Sequence, residues 1–369
     1  MSFSFGFTNE DLDIDQSISN NNEINQSNNN ISVVNPLDAP ELKTNNVIQP
    51  QIESLQTILS NLKDVRVSYE SIDIPTISQS IGQPKLYRRD LFDMKHQLMS
   101  EDDPVTTSGE NSNELDILIH EDLRKNIYEG GLKSWECSID LVSLLNESFH
   151  SSKELSFAET NCIVEIGCGT ALPSEYIFQQ YLKQEINTGL NLILTDYNSS
   201  ALRLATIPNL IITWINTCLS EDLLHSTQPE NISLKYNEEI MFSEKLLHMF
   251  VKDMNQRNIN ILLISGSWGR DFTNLLHQLI NTTINCKKLL VLTSETIYQP
   301  DHLPLISETL IDLKQNTNFT QVNQMIAAKD IYFGVGGSLI EFENYLRNRQ
   351  IDFTTQKINA GLKRSIVIV

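Results

Sequence analysis

Four short apolar segments, at 162–166, 190–195, 260–264 and 288–292, constrain the fold of this chain most. Each is rich in Ile, Leu and Val, and each pair is separated by enough residues for a helix. Strands buried on both faces read this way, and their alternation with helices predicts a mostly parallel sheet wrapped by helices. The segments end in Glu165-Ile-Gly-Cys-Gly, Asp196-Tyr-Asn, Gly266-Ser-Trp-Gly and Ser294-Glu-Thr. Further runs at 325–332, 353–358 and 365–369 bring the expected strands to seven. The last two flank Asn359-Ala-Gly-Leu-Lys-Arg and should form an antiparallel tail. In such an open α/β sheet, ligands lie beyond the carboxyl ends of the strands.

The strand ends carry the chemistry. Gly167 and Gly169 allow a tight turn close to a ligand. A dinucleotide fingerprint would need a third small residue where Leu172 stands, so the run reads as E-x-G-x-G. Asp196, one strand-helix-strand unit later, suits the two hydroxyls of a ribose, or else caps a helix. Trp268 can flank an adenine or fill the core. Ser294, Glu295, Thr296 and Tyr298 either contact substrate or cap the following helix. Two glycine-rich loops stand apart. Ile127-Tyr-Glu-Gly-Gly-Leu-Lys-Ser-Trp135 precedes a helical stretch at 139–145, as a lid would. Tyr332-Phe333-Gly334-Val-Gly336-Gly337 suits close approach to a substrate or a plain turn.

Ahead of this domain, eight of the twenty residues 16–35 are Asn. Such a tract buries too little to offset its ordering entropy, so an acidic tail at 1–45 is expected to be disordered and dispensable for folding and ligand binding. Residues 46–112 read as an extension docking on the main domain at 113–369, with Ile52, Leu55, Ile58, Leu59 and Leu62 at helical spacing. A polar insertion at 216–257, helical around 240–251, is expected on the helix layer. The net charge of −20, with −7 of it before residue 63, repels nucleic acid and anionic membranes but attracts a basic protein. Five scattered cysteines imply reduced thiols. Neither a secretory signal nor an 18-residue apolar span is visible, and no histidine spacing suits a metal.

These segments together resemble the seven-strand, S-adenosylmethionine-dependent histidine protein methyltransferases that modify a large-subunit ribosomal protein. The likeness spans roughly residues 80–369. It is carried by the run from Leu86-Tyr-Arg-Arg-Asp to Met99, Tyr128-Glu-Gly-Gly-Leu-Lys-Ser-Trp-Glu-Cys-Ser138, Glu165-Ile-Gly-Cys-Gly-Thr170, Asp196-Tyr-Asn198, Thr293-Ser-Glu-Thr-Ile-Tyr298, Tyr332-Phe-Gly-Val-Gly-Gly337 and Gly361-Leu-Lys-Arg364. It implies a Rossmann-like methyltransferase fold and transfer to the tele nitrogen of a histidine. It also implies cofactor contacts from Trp135, Glu136, Cys137, Ser138, Glu165, Gly167, Gly169, Asp196, Tyr197, Asn198, Gly266, Ser267, Trp268 and Ser294. The chain departs from the family at Glu165, often Asp, and at Ser267, often Glu.

Glu295 and Tyr298 are the candidates for holding the imidazole tautomer. Tyr332, Phe333, Gly334 and Gly336 are the candidates for the substrate side. The expected client is a basic ribosomal protein, met by a monomeric enzyme in the cytoplasm and nucleus. The alternatives are a lysine or small-molecule methyltransferase of the same fold and a non-catalytic assembly chaperone.

Overall fold

The computed structural model describes residues 34–44, 47–77, 81–101, 130–151, 155–184, 189–229, 238–283, 286–358 and 361–369. The tail at 1–33 and Ile127-Tyr-Glu of the first glycine-rich loop lie outside them.

The strands are β1 (Gln51–Glu53), β2 (Arg66–Asp73), β3 (Lys85–Arg89), β4 (Cys162–Ile166), β5 (Leu190–Asp196), β6 (Glu239–Met241), β7 (Ile259–Ser265), β8 (Lys288–Ser294), β9 (Gln321–Lys329), β10 (Thr354–Ile358) and β11 (Arg364–Ile368). Eight form one sheet in the order β1-β7-β5-β4-β8-β9-β11-β10, and a second sheet runs β3-β2-β6. From β7 to β9 the pairs are parallel, while β11 and β10 run antiparallel as expected. Every residue of β4 and β5 is buried, which explains their mostly apolar sequences.

The main sheet has eight strands rather than seven. The additional one, β1, runs antiparallel to the end of β7, pairing Gln51 with Ser265 and Glu53 with Leu263. Three residues with Ile52 exposed leave too little alternation to read as a strand. The helix expected to include Ile52 begins only after Ser54, whose hydroxyl accepts the Thr57 N–H and caps Leu55–Asn61. Its buried Ile58 and Leu59, with Leu62, pack into the core under the sheet.

The extension and the insertion are built together. Ile240, expected to be helical, is the buried centre of β6 and pairs with Val67 of β2. The helix Glu244–Gln256 starts at a Ser243 cap. The N-terminal boundary also differs: residues 36–43, assigned to the tail by composition, form two short 3-10 turns opened by Pro36 and Pro40, and Leu37 is buried.

Candidate active site at the sheet switch point

Strand order reverses between β4 and β8, and the carboxyl ends of β5, β4 and β8 face one crevice there. It holds a cavity of about 280 Å³, near the lower end of small-ligand sites at roughly 300–1,000 Å³. Trp135, Ser138, Gly167, Gly169, Asp196, Tyr197, Ser267, Trp268, Ser294, Glu295 and Tyr298 all line it.

The two glycines serve the loops themselves. At Gly167, with φ of +65°, a Cβ would meet Thr296 Cγ2 at 2.6 Å; at Gly169, with φ of +50°, it would meet the Gly131 carbonyl at 2.9 Å. The E-x-G-x-G turn is therefore clamped between the β8 loop and the Gly130-Gly131 loop. Asp196 completes the clamp: Oδ2 accepts the Gly169 N–H at 2.9 Å and Oδ1 the Asn198 N–H at 3.1 Å. It does not cap the next helical turn, whose N-cap position is Asn198. Each carboxylate oxygen retains acceptor capacity for a hydroxyl.

Five residues expected at the cofactor do not line the cavity. Glu136 is exposed and pairs with Lys329 at 3.3 Å. Cys137 is buried beneath it, and desolvation, then the Glu295 carboxylate, pushes its thiol far up, so it stays neutral. Asn198 is buried behind Asp196, and Gly266 faces the segment at 49–50. Glu165 is fully buried, with Oε2 accepting the Ser174 N–H at 3.0 Å.

Desolvation pushes Glu165 up to about 8, and Glu175 likewise. Glu175 accepts the Tyr87 N–H and the Thr213 hydroxyl, tying β3 to the helices. Both carboxyls keep protons in the folded chain at pH values where ordinary ones near 4.5 have lost them. Their contribution to stability is therefore full below pH 4.5 and lost as pH rises to about 8. Glu165→Gln, neutral throughout, should gain Tm relative to wild type between pH 5 and pH 8, by about 2 °C or more, in calorimetry of the ligand-free protein. A difference that stays flat with pH would mean that Glu165 is not shifted.

A second cavity, of about 620 Å³, adjoins the first and shares Trp135, Glu295 and Tyr298 with it. Tyr332 and Phe333 line it with Lys329, Val335 and Leu362. Phe333 is 80% exposed, and Ile331, Val335 and Leu362 are exposed around it. Gly334 and Gly336 are not among its lining residues; with φ of +83° and +99°, they shape the loop closed by the Ile331–Ser338 bridge. Tyr298 and Tyr332 meet edge-on at 6.3 Å.

Glu295 stands at the junction in a left-handed conformation, φ +57°, a strained state that buried functional positions retain. Lys329 Nζ lies 3.6 Å from Glu295 Oε1 and 5.3 Å from the centre of the Trp135 ring. Lys329, at the end of β9, was not foreseen; a cation closing the apolar run at 325–328 was its only signal. Nor were Lys133, Asp301, His302 and Leu305, which line the first cavity from the loop before Trp135, the loop after β8 and the first turn of the helix Leu303–Gln315.

S-adenosylmethionine fits this arrangement. Ser267 Oγ is buried at the cavity without a hydrogen-bond partner, a state that costs about 1–3 kcal/mol until a ligand relieves it. Lys133 offers a cation for a carboxylate, Asp196 acceptors for hydroxyls, and Trp268 with His302, 6.1 Å apart edge-on, an aromatic wall. Among the described residues, no three of His, Cys, Asp and Glu gather as metal ligands, and no helix is long and apolar enough to cross a membrane.

No protein-family model matches the chain. Among solved structures it is similar to the rRNA methyltransferase aviRa from Streptomyces viridochromogenes, with a TM-score of 0.37 and 10% identity, over 65% of this chain and 88% of that one. The curated relatives are nearer. Histidine protein methyltransferase 1 of Schizosaccharomyces pombe is 35% identical over 70% of this chain and 68% of its own length. A Bos taurus homologue is 28% identical over 77% of this chain and 65% of its own. The protein of the same name from Saccharomyces cerevisiae is 48% identical over 100% of this chain and 98% of its own length. With a likeness of that depth running along the whole chain, the protein belongs to the histidine protein methyltransferases, enzymes that draw their methyl group from S-adenosylmethionine.

Proposed function

We propose that the protein methylates the tele nitrogen of one histidine in a basic protein of the large ribosomal subunit. The observation that carries the histidine chemistry is the junction of the two cavities at Trp135, Glu295 and Tyr298. The cofactor side holds the donor, and the apolar-rimmed slot admits a side chain from the opposite direction.

Bound S-adenosylmethionine supplies an electrophilic methyl group on a sulfonium. The chain's own residues align the acceptor and exclude water. A histidine in the slot is mostly neutral near pH 7, and its tip nitrogen, Nε2, reaches furthest from the client backbone. Glu295 accepts the N–H of Nδ1, which leaves the Nε2 lone pair facing the cofactor side. As the C–N bond forms and the sulfonium C–S bond breaks, its electron pair staying on sulfur, positive charge passes to the ring, and the carboxylate stabilises it and receives the Nδ1 proton. Lys329 keeps Glu295 in place. Trp135, Tyr298 and Tyr332 close the ring between apolar faces, which favours near-attack geometry.

The client class is supported by charge and by the likeness stated above. The −13 carried after residue 62 steers a cationic client, and an assembled subunit, sheathed in anionic RNA, is repelled. We therefore place the reaction on free or nascent client, by a monomeric enzyme in the cytoplasm or nucleus. Labelled cofactor and enzyme are incubated separately with extract from cells lacking the enzyme, isolated ribosomal proteins and intact subunits, and labelled peptides are sequenced. The expected product is tele-methylhistidine in one large-subunit protein, strongest in the free fraction. Methyl-lysine would overturn the acceptor, preferential labelling of subunits would overturn the timing, and no label despite bound cofactor would favour a holding role.

A further inference from the structure

We infer that residues 35–44 and 47–50 form a strap that completes the cofactor site by covering its purine end, an inference that rests on reading the first cavity as the S-adenosylmethionine site. The cavity has a direction. Its Trp135–Glu295 end meets the slot, so the reacting methyl group and the amino-acid part belong there, with Asp196 at the ribose. The other end, walled by Trp268, His302 and Leu305, is left for the adenine, and the strap closes it with Glu41, Leu42 and Val47.

The strap is fastened along its length. Asn35 Nδ2 donates to Glu308 Oε2 at 3.1 Å, and buried Leu37 follows. Asp38 accepts from Arg270 Nε and Nη2, each at 2.9 Å. The Ser267 N–H donates to the Ile48 carbonyl at 2.9 Å, after which the chain enters β1. An independent sign is the glycine pattern at the end of β7. A Cβ on Gly266 would lie 2.6 Å from Pro50 Cα and 2.8 Å from the Gln49 carbonyl, and one on Gly269 would lie 3.0 Å from Leu42 Cδ1. The Gly266-Ser-Trp-Gly glycines make room for the strap, while Ser267 and Trp268 between them face the cavity. The inference runs against the expectation that residues 1–45 are dispensable for cofactor binding: a deletion starting near Val47 would remove Glu41, Leu42 and the Asn35 and Asp38 fastenings of the strap.

Calorimetric titration of S-adenosylmethionine and of adenosine into the full chain tests this. Leu42→Ser with Val47→Ser removes the apolar cover, and Leu37→Asp unseats the strap away from the cavity. Each should weaken both ligands by the same factor, about tenfold for the double variant, because the strap touches only the part they share. Thermal unfolding without ligand identifies a variant that fails to fold; if Leu37→Asp does, the Leu42 and Val47 double variant decides. Wild-type affinity in the strap variants, with binding lost in Asp196→Ala, would overturn the strap and leave the cofactor site standing. Wild-type affinity in all of them would overturn the site as well. Weakening of S-adenosylmethionine alone would place the strap at the amino-acid end and overturn the inference.

Discussion

Glu295→Ala should lower kcat for methyl transfer by about a hundredfold, and Glu295→Gln by about tenfold, within the range that a positioned acid or base contributes. Cofactor affinity should change by no more than about threefold, because Asp196 and the purine walls stay intact. The two variants differ for a physical reason. An amide oxygen can still accept the Nδ1–H and fix the tautomer, but it cannot neutralise the ring's growing charge or take its proton. Alanine removes both functions and frees the ring to turn over, so a measurable share of product should appear at Nδ1. Product sequencing with separation of the two methylhistidines checks this. A Glu295→Ala enzyme with wild-type kcat and tele product only would remove Glu295 from the mechanism.

Glu295 also marks how far the sequence could be read. Its place after an apolar strand was enough to put it at the crevice, as it was for Asp196, Trp268 and Ser294, because parallel strands deliver their carboxyl ends to one edge. β4, β5, β7 and β8 were legible because Ile, Leu and Val dominate their largely buried runs, even with Glu165 and Asn191 buried among them and Asn260 exposed. What stayed hidden depends on partners distant in sequence. β1 is three residues long and is a strand only because β7 ends beside it. β6 looked like the start of a helix because Ile240 and Met241 are apolar in either state, and only pairing with β2 decides. Likewise Gly266 was expected at the cofactor, whereas a Cβ there would meet Gln49 and Pro50, more than 200 residues earlier. The strap itself was masked by composition: its Pro36 and Pro40 turns follow directly on an Asn-rich tract.

The largest loss of cofactor binding is expected at Asp196, where one carboxylate shapes the loop and is also placed to hold the ribose. Asp196→Ala should weaken S-adenosylmethionine by about a hundredfold or more, since charge-assisted hydrogen bonds from two hydroxyls are lost together. Part of that loss would be indirect. The N–H groups of Gly169 and Asn198 lose their acceptor in a buried setting, at about 1–3 kcal/mol each, so the ligand-free variant should also melt earlier. Asp196→Asn keeps one acceptor oxygen and should fall between. The two roles separate in a cycle that pairs each variant with a cofactor analogue lacking the ribose hydroxyls. If Asp196 holds the ribose, the analogue already binds wild type weakly and loses little more in Asp196→Ala. If it only shapes the loop, both ligands fall by the same factor. Native circular dichroism with unchanged affinity for S-adenosylmethionine would exclude Asp196 from the site altogether. It would also detach the ribose position on which the direction of the cavity, and hence the assignment of its purine end, depends.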